Sequence, residues 1–405
     1  GIKQDMRVYS KRRYGQDGAL LTIESAVDDI AGRNRFDAVI EGEELILTST
    51  VGGQKSTRRF PKPAETLQAM LKFTELLAGD PQPGDSATFS MFEPMYQMEI
   101  EGEVIVLGKE ERMFDGVNTE VYRVKSVLKT MGIESIGFVT AEGVTLEDKI
   151  AGGIITMRLE PKEIAQDVHY TNDTIVSNAA LVDKSISDPR TRESLRLKVS
   201  GPLGADVLFN DERQTFSKRV DSYTFVGKKL TLDGFDAPTL PIDEPSVRKW
   251  QEPTLFVQSD NPKLIEQARA IIGDETDSAA ASEALCRWVY KNMKATFSAR
   301  LTNSLEVLEN MEGDCTEHSM LFIGLARAIG LPAHEAAGLI YVEGSKRGFY
   351  FHQWARVWVG QWIDVDPTFD QPIADATHIK LAEGDLFEQT KILPVIGQLS
   401  IEVLE

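Results

Sequence analysis

The sequence is poor in cysteine, with only Cys286 and Cys315 among 405 residues. That excludes a disulfide scaffold, which needs several spaced pairs. Long apolar runs are missing as well. A bilayer-spanning helix needs roughly 18 or more apolar residues in a row, and the richest stretch, 321–333, is interrupted by Arg327. Positive charge is in deficit: 44 Lys and Arg face 63 Asp and Glu, for a formal net charge of −19. A nucleic-acid-binding surface is therefore not expected. No repeat of fixed period and no low-complexity tract occur. The chain begins Gly1-Ile2 rather than with Met, which is compatible with a removed leader. Two cysteines fit a cytosol or a bacterial envelope compartment equally.

What is present is the composition of a folded chain, 42% hydrophobic and 26% charged. The length predicts two or three domains. Residues 1–165 read as a β-rich domain with one helix. Period-two alternation marks 98–106, on either side of a glycine turn at Gly102, and also 121–125 and 153–159. The helix is expected over 64–77, opened by Pro63, with Leu67, Met70, Leu71 and Leu77 at helical spacing. Residues 166–250 read as a β-rich middle domain with strands at 194–199 and 222–226. It ends in a connector, 236–253, that holds Pro238, Pro241, Pro245 and Pro253.

From 251 to 405 the period changes. A helix follows Asn261-Pro262 and stops at Gly273; a second runs over 278–293; a third begins near Cys315 and ends before Gly330 and Pro332. Strands follow at 334–342, 349–359 and 362–366. Helices followed by antiparallel strands predict an α+β domain. The whole chain thus reads as α+β, with mainly antiparallel β domains preceding it.

Three residues in this last third fit nucleophilic catalysis. Cys315, in Gly313-Asp314-Cys315-Thr316-Glu317-His318, opens the third helix. The positive helix end and its unpaired N–H groups favour a thiolate there. A nucleophilic thiol needs a base, and the base needs an orienting acceptor. His352 lies on the strand Phe351-His352-Gln353-Trp354, and Asp366 lies in Asp364-Val365-Asp366-Pro367-Thr368. A two-residue turn at Gly360-Gln361 would place Asp366 on the opposite face from His352. A three-residue turn, 359–361, would set Trp358 against Trp362 and bring Asp366 diagonally beside His352. The expectation is the three-residue turn, or a bulge, with Gly360 suited to positive φ.

Gly-x-Cys opening a helix, His-x-Trp on a strand and Asp-Pro-Thr after a tryptophan strand together resemble the transglutaminase-like superfamily, whose core has the papain-type architecture. Leu325-Ala326-Arg327-Ala328-Ile329-Gly330-Leu331-Pro332-Ala333 lies between the first two motifs. The resemblance spans roughly 280–370. It implies Cys315 as nucleophile, His352 as general base and acid, and Asp366 as the orienting carboxylate. It further implies a protein or peptide substrate, and a periplasmic or envelope location in a bacterium. Asp314 and Thr316 flank the cysteine where animal transglutaminases have Gln and Trp, so the match is closer to the bacterial branch. His334 stands where the family often has arginine. The backbone N–H of Cys315 is expected as one oxyanion donor, with Trp288 or Asn303 as the second. No calcium-loop spacing is present, and no metal or cofactor is expected.

Each residue also has a plainer reading. Cys286 is expected to be a buried thiol. His352 and its aromatic neighbours would suit a core, and Asp364 a strand end. His169, His334 and His378 have no partners in the sequence and read as structural or exposed. Cys315-x-x-His318, with His352 and Asp366, would supply four metal ligands, although structural zinc sites usually carry more cysteines. The competing class is a non-catalytic scaffold with a degenerate enzyme domain.

Overall fold

The computed structural model describes residues 7–29, 32–150, 153, 155–166, 178–296, 302–344 and 346–404; His169 lies outside them. They fall into two compact units, one within 3–171 and the other within 172–405.

The first unit holds two antiparallel meanders. Strands β1 (Arg7–Tyr14), β2 (Leu20–Asp29), β3 (Gly32–Glu41), β4 (Glu44–Val51) and β5 (Gln54–Pro61) pair in chain order. After helix α1 (Leu67–Ala78), strands β6 (Ser86–Glu93), β7 (Met98–Phe114), β8 (Val117–Leu128), β9 (Ile133–Val139), β10 (Thr145–Ile150) and β11 (Ile155–Arg158) form a second sheet. The short helix α2 (Lys162–Gln166) follows. The first helix starts at Leu67 because the Thr66 hydroxyl accepts from the Ala69 N–H, so Pro63 lies upstream of it. Leu77 of α1 packs with Val104, Val106, Tyr122 and Val124. Gly102 is not a turn. The strand runs straight through it, and the Phe89 ring from β6 lies where a side chain would stand, an added Cβ meeting Phe89 Cζ at 2.2 Å. Ile155, Met157 and Leu159, which the alternation over 153–159 sets on one face, are exposed.

The second unit contains β12 (Ala180–Leu181), β13 (Ser194–Ser200), β14 (Gln214–Lys218) and β15 (Tyr223–Lys228). Helices α3 (Pro262–Ile272), α4 (Ser278–Asn292), α5 (Ser304–Asn310) and α6 (Cys315–Ala328) follow, with the short pair β16 (Lys294–Ala295) and β17 (Glu312–Gly313). Then come β18 (Ala333–Val342), β19 (Gly348–Trp358), β20 (Trp362–Val365), β21 (Ile379–Glu383), α7 (Leu386–Gln389) and β22 (Ser400–Val403). The four helices pack with Ala333, Ala355, Val357 and Ile363 of the sheet in one core. Leu339, Tyr341, Phe349 and Ile379 pack in another with Leu195, Leu197 and Phe225.

The segment 178–250 is not a unit apart from 251–404. Its strand β13 pairs with β22 from the chain's far end, and β12 pairs with β19. The proline-rich stretch is no free connector either. Leu240 N–H donates to Thr276 O and Ile242 N–H to Gly330 O, while Pro238 O accepts from Ser278. Proline removes donors but leaves carbonyls, and here the remaining groups pair with the helical layer. Among the described residues no helix is long and apolar enough to cross a membrane.

Strand β21 reaches the site through a close approach. Gly338 on β18 pairs with His352 on one side and with Lys380 on the other, at a bulge. A Cβ at Gly338 would meet the Ile379 carbonyl oxygen at 1.9 Å. Gly338→Ala is therefore expected to push β21 outward and lower stability by about 1–3 kcal/mol, read as a reduced denaturant midpoint with an unchanged slope.

Candidate active site

Helix α6 begins with a reciprocal cap. Asp314 Oδ1 accepts from the Thr316 N–H at 2.9 Å, and Glu317 Oε2 accepts from the Asp314 N–H at 2.8 Å. Cys315 takes the first helical position, whose N–H has no partner within a helix. Its side chain is half-buried. The Ser319 hydroxyl lies 2.8 Å from Cys315 O and 3.2 Å from Gln353 O, and so ties the first turn of α6 to the strand that carries His352. Burial, followed by the neighbouring Asp314 carboxylate, pushes Glu317 up to about 7.

Strand β19 carries His352, Trp354 and Arg356 on one face. Its hairpin to β20 pairs Trp358 with Trp362 and Arg356 with Asp364, and Gly360 has φ 97°. This is the three-residue turn that the spacing required. Strand β20 ends at Val365, where Pro367 cannot continue it. The Thr368 N–H donates to Asp366 Oδ1 at 2.9 Å, an Asx-type turn that fixes the carboxylate. Asp366 Oδ2 lies 2.9 Å from His352 Nε2.

Burial by itself would lower the basicity of His352. The Asp366 charge and hydrogen bond, with a hydrogen bond to Cys315, outweigh it and lift the imidazole to about 9. Burial would raise Asp366, but His352 and His378 hold it well below the usual carboxylate range. Nε2 is committed to Asp366, which leaves Nδ1 as the nitrogen available to Cys315. The structure thus joins His352 to Asp366 directly and sets Cys315 close enough to influence the imidazole.

It also adds partners that the sequence did not indicate. His378 Nε2 lies 3.0 Å from the same Asp366 Oδ2. Asp364 is no surface acid: Arg213 meets it at 2.5 Å and Arg356 at 2.8 Å, both fully or nearly buried. Arg213, 151 positions upstream of Asp364, could not be linked to it by spacing. His334, far from exposed, is sandwiched between Trp250 and Trp362 at ring separations of 4.3 and 4.5 Å. Burial, followed by Arg356 and Lys380, keeps it neutral. Cys286 is buried as expected, and burial raises its thiol to a poorly ionising state.

The oxyanion candidates separate. Trp288 is partly buried against the helical core. Asn303 caps α5 through Oδ1, which accepts from the Glu306 N–H at 3.0 Å. Its buried Nδ2 has no hydrogen-bond partner among the described residues. The nearby Thr302, with Thr316, Met320, Gln353, Trp250 and Phe256, lines a cavity of about 790 Å³ that runs along α6 from its first turn to Arg327. Of the tryptophans only Trp250 lines it, while Trp354 is in the core against His352.

The four-ligand set proposed around Cys315-x-x-His318 is not what assembles. His318 Nδ1 is 2.7 Å from the Asp314 carbonyl, which fixes that nitrogen as a donor. Among the described residues His352, Asp366 and His378 bring ligand atoms within 4.8 Å of one another. Both imidazole Nε2 atoms already share one carboxylate oxygen there, so a cation would have to displace two protons from a closed site.

The family model of the transglutaminase-like superfamily matches residues 265–367. Among solved structures, a provisionally assigned cysteine protease from Cytophaga hutchinsonii is 16% identical; the match covers 52% of this chain and 81% of that one, with a TM-score of 0.36. A TGase is 19% identical, with 38% of this chain and 43% of that one covered and a TM-score of 0.22. A β-barrel-like protein from Brucella abortus is 11% identical, with 38% and 71% covered and a TM-score of 0.30. No curated protein matches. The structural likenesses are distant. The family match runs from α3 to the proline after Asp366, so the C-terminal part of this chain contains a transglutaminase-like domain.

Proposed function

We propose that this domain is a thiol acyl-transfer enzyme acting on amide bonds of proteins or peptides. The observation that carries the reading is the grouping of a half-exposed Cys315 with a His352 imidazole whose other nitrogen is held by buried Asp366. In this reading the proton given up by Cys315 rests on the His352 imidazolium, consistent with its raised basicity, and the sulfur attacks the carboxamide carbon. The tetrahedral oxyanion is met by the Cys315 N–H at the helix end. Asn303 Nδ2 supplies the second donor, which would account for a buried amide nitrogen left unpaired at a cost of about 1–3 kcal/mol. His352 then returns the proton to the leaving amine, and a thioester remains on Cys315. Water resolves it to an acid, or an amine to a new amide. The cavity along α6 gives an extended acyl chain room beside the nucleophile.

The test is an activity screen on peptide-amide and glutamine-donor libraries, with and without an added primary amine. Turnover that disappears in Cys315→Ala supports the reading, and turnover unaffected by that change contradicts it. Asn303→Asp keeps the capping oxygen and removes the donor. It is expected to lower kcat by about 10²–10³-fold with a small change in stability. An equal loss of stability and activity would assign Asn303 to capping alone.

A further inference from the structure

His378 is the unexplained group of the site. It is fully buried, and it does not line the cavity along α6. Its Nε2 lies 3.0 Å from Asp366 Oδ2, and its Nδ1 lies 3.3 Å from both the carbonyl and the Oδ1 of Asp375. Both ring nitrogens thus face only acceptors. A neutral imidazole would turn a lone pair toward one of them. We propose that His378 is a positioning residue, an imidazolium clamped between Asp366 and Asp375 that fixes the Asp366 carboxylate and limits how strongly it holds a proton on His352.

The surrounding charges fit a cation at this point. Asp375 is itself held: its Oδ1 accepts from the Thr377 N–H at 2.7 Å and hydroxyl at 2.6 Å, and its Oδ2 from Gln371 at 2.7 Å and Arg190 at 3.0 Å. Arg213 donates to the His378 carbonyl and is paired with Asp364. Lys380, on β21 two positions after His378, is engaged by Asp211 and Glu383. From β19 the ring meets His352, at a centroid distance of 5.9 Å, and the edge of Trp354. Asp366 and Asp375 are therefore the two anions in direct contact with His378. Burial opposes its charge, but the hydrogen bonds to these carboxylates more than offset that. A second cation 5.9 Å away disfavours protonation of His352. With Asp366 alone as neighbour, His352 would hold its proton to still higher pH and would release it less readily to the leaving amine.

The role of His378 rests on the proposed thiol chemistry; its charge state does not. The experiment is a ¹⁵N-histidine NMR titration of the full chain, with the five histidines assigned by substitution. The wild-type His378 ring is expected to keep both nitrogens protonated through neutral pH, where a free imidazole has lost one proton. His378→Gln, which removes the charge, should move the His352 midpoint upward by on the order of one to two pH units. Asp375→Asn, which removes one of the clamping anions, should loosen the His378 proton and move His352 the same way. A singly protonated His378 in the wild type, or a His352 midpoint that stays put in both variants, overturns the proposal. Should His378→Gln fail to fold, the wild-type ring signals and Asp375→Asn still decide. An amide screen without turnover would count against the acyl-transfer reading and leave this titration result intact.

Discussion

The site is organised by the cost of burying the Asp366 carboxylate. It has no exposed surface, and an ionised group in such a place is tolerated only when its oxygens are saturated by donors. Oδ1 takes the Thr368 N–H, and Oδ2 takes two imidazoles. That demand sets several features at once. The hairpin must turn in three residues, or Asp366 faces away from His352. Strand β21 must come close enough to deliver His378, and a glycine at 338 allows it. His352 keeps Nδ1 outside its bond to Asp366.

The helix that carries Cys315 shows a second balance. A helix start needs acceptors for its first N–H groups, and Asp314 and Glu317 supply them. They also set two carboxyl groups close to Cys315, where two full negative charges would repel one another. Burial moderates this, because Glu317 is pushed up to about 7 and carries less than full charge near neutrality. The cap thus positions the sulfur and the Cys315 N–H together without placing two full anions next to them.

Much of this domain was legible in its residues. Asn261-Pro262 and Gly273 bound α3 because caps act locally, and the strands expected at 334–342 and 349–359 correspond to β18 and β19. The strand register followed from the one requirement that His352 and Asp366 share a face. What stayed hidden depends on long-range closure. Arg213 finds Asp364, His378 finds Asp366, and β22 completes the sheet begun by β13 across some 200 positions. None of these leaves a periodic or spacing signal. Gly102 misled for a physical reason: the same lack of a side chain that suits a turn also admits the Phe89 ring across the sheet. The proline-rich stretch misled in the same way, since an extended backbone can lie along a packed surface as well as link two domains.

The most direct test of the account is the alkylation rate of Cys315 by iodoacetamide in the native protein, read by mass spectrometry against buried Cys286. The account predicts that Cys315 is modified far faster than Cys286, and that His352→Ala slows it at neutral pH by at least about tenfold. Rates for Cys315 that do not change when the imidazole is removed would show that sulfur and ring do not work together, and would contradict it.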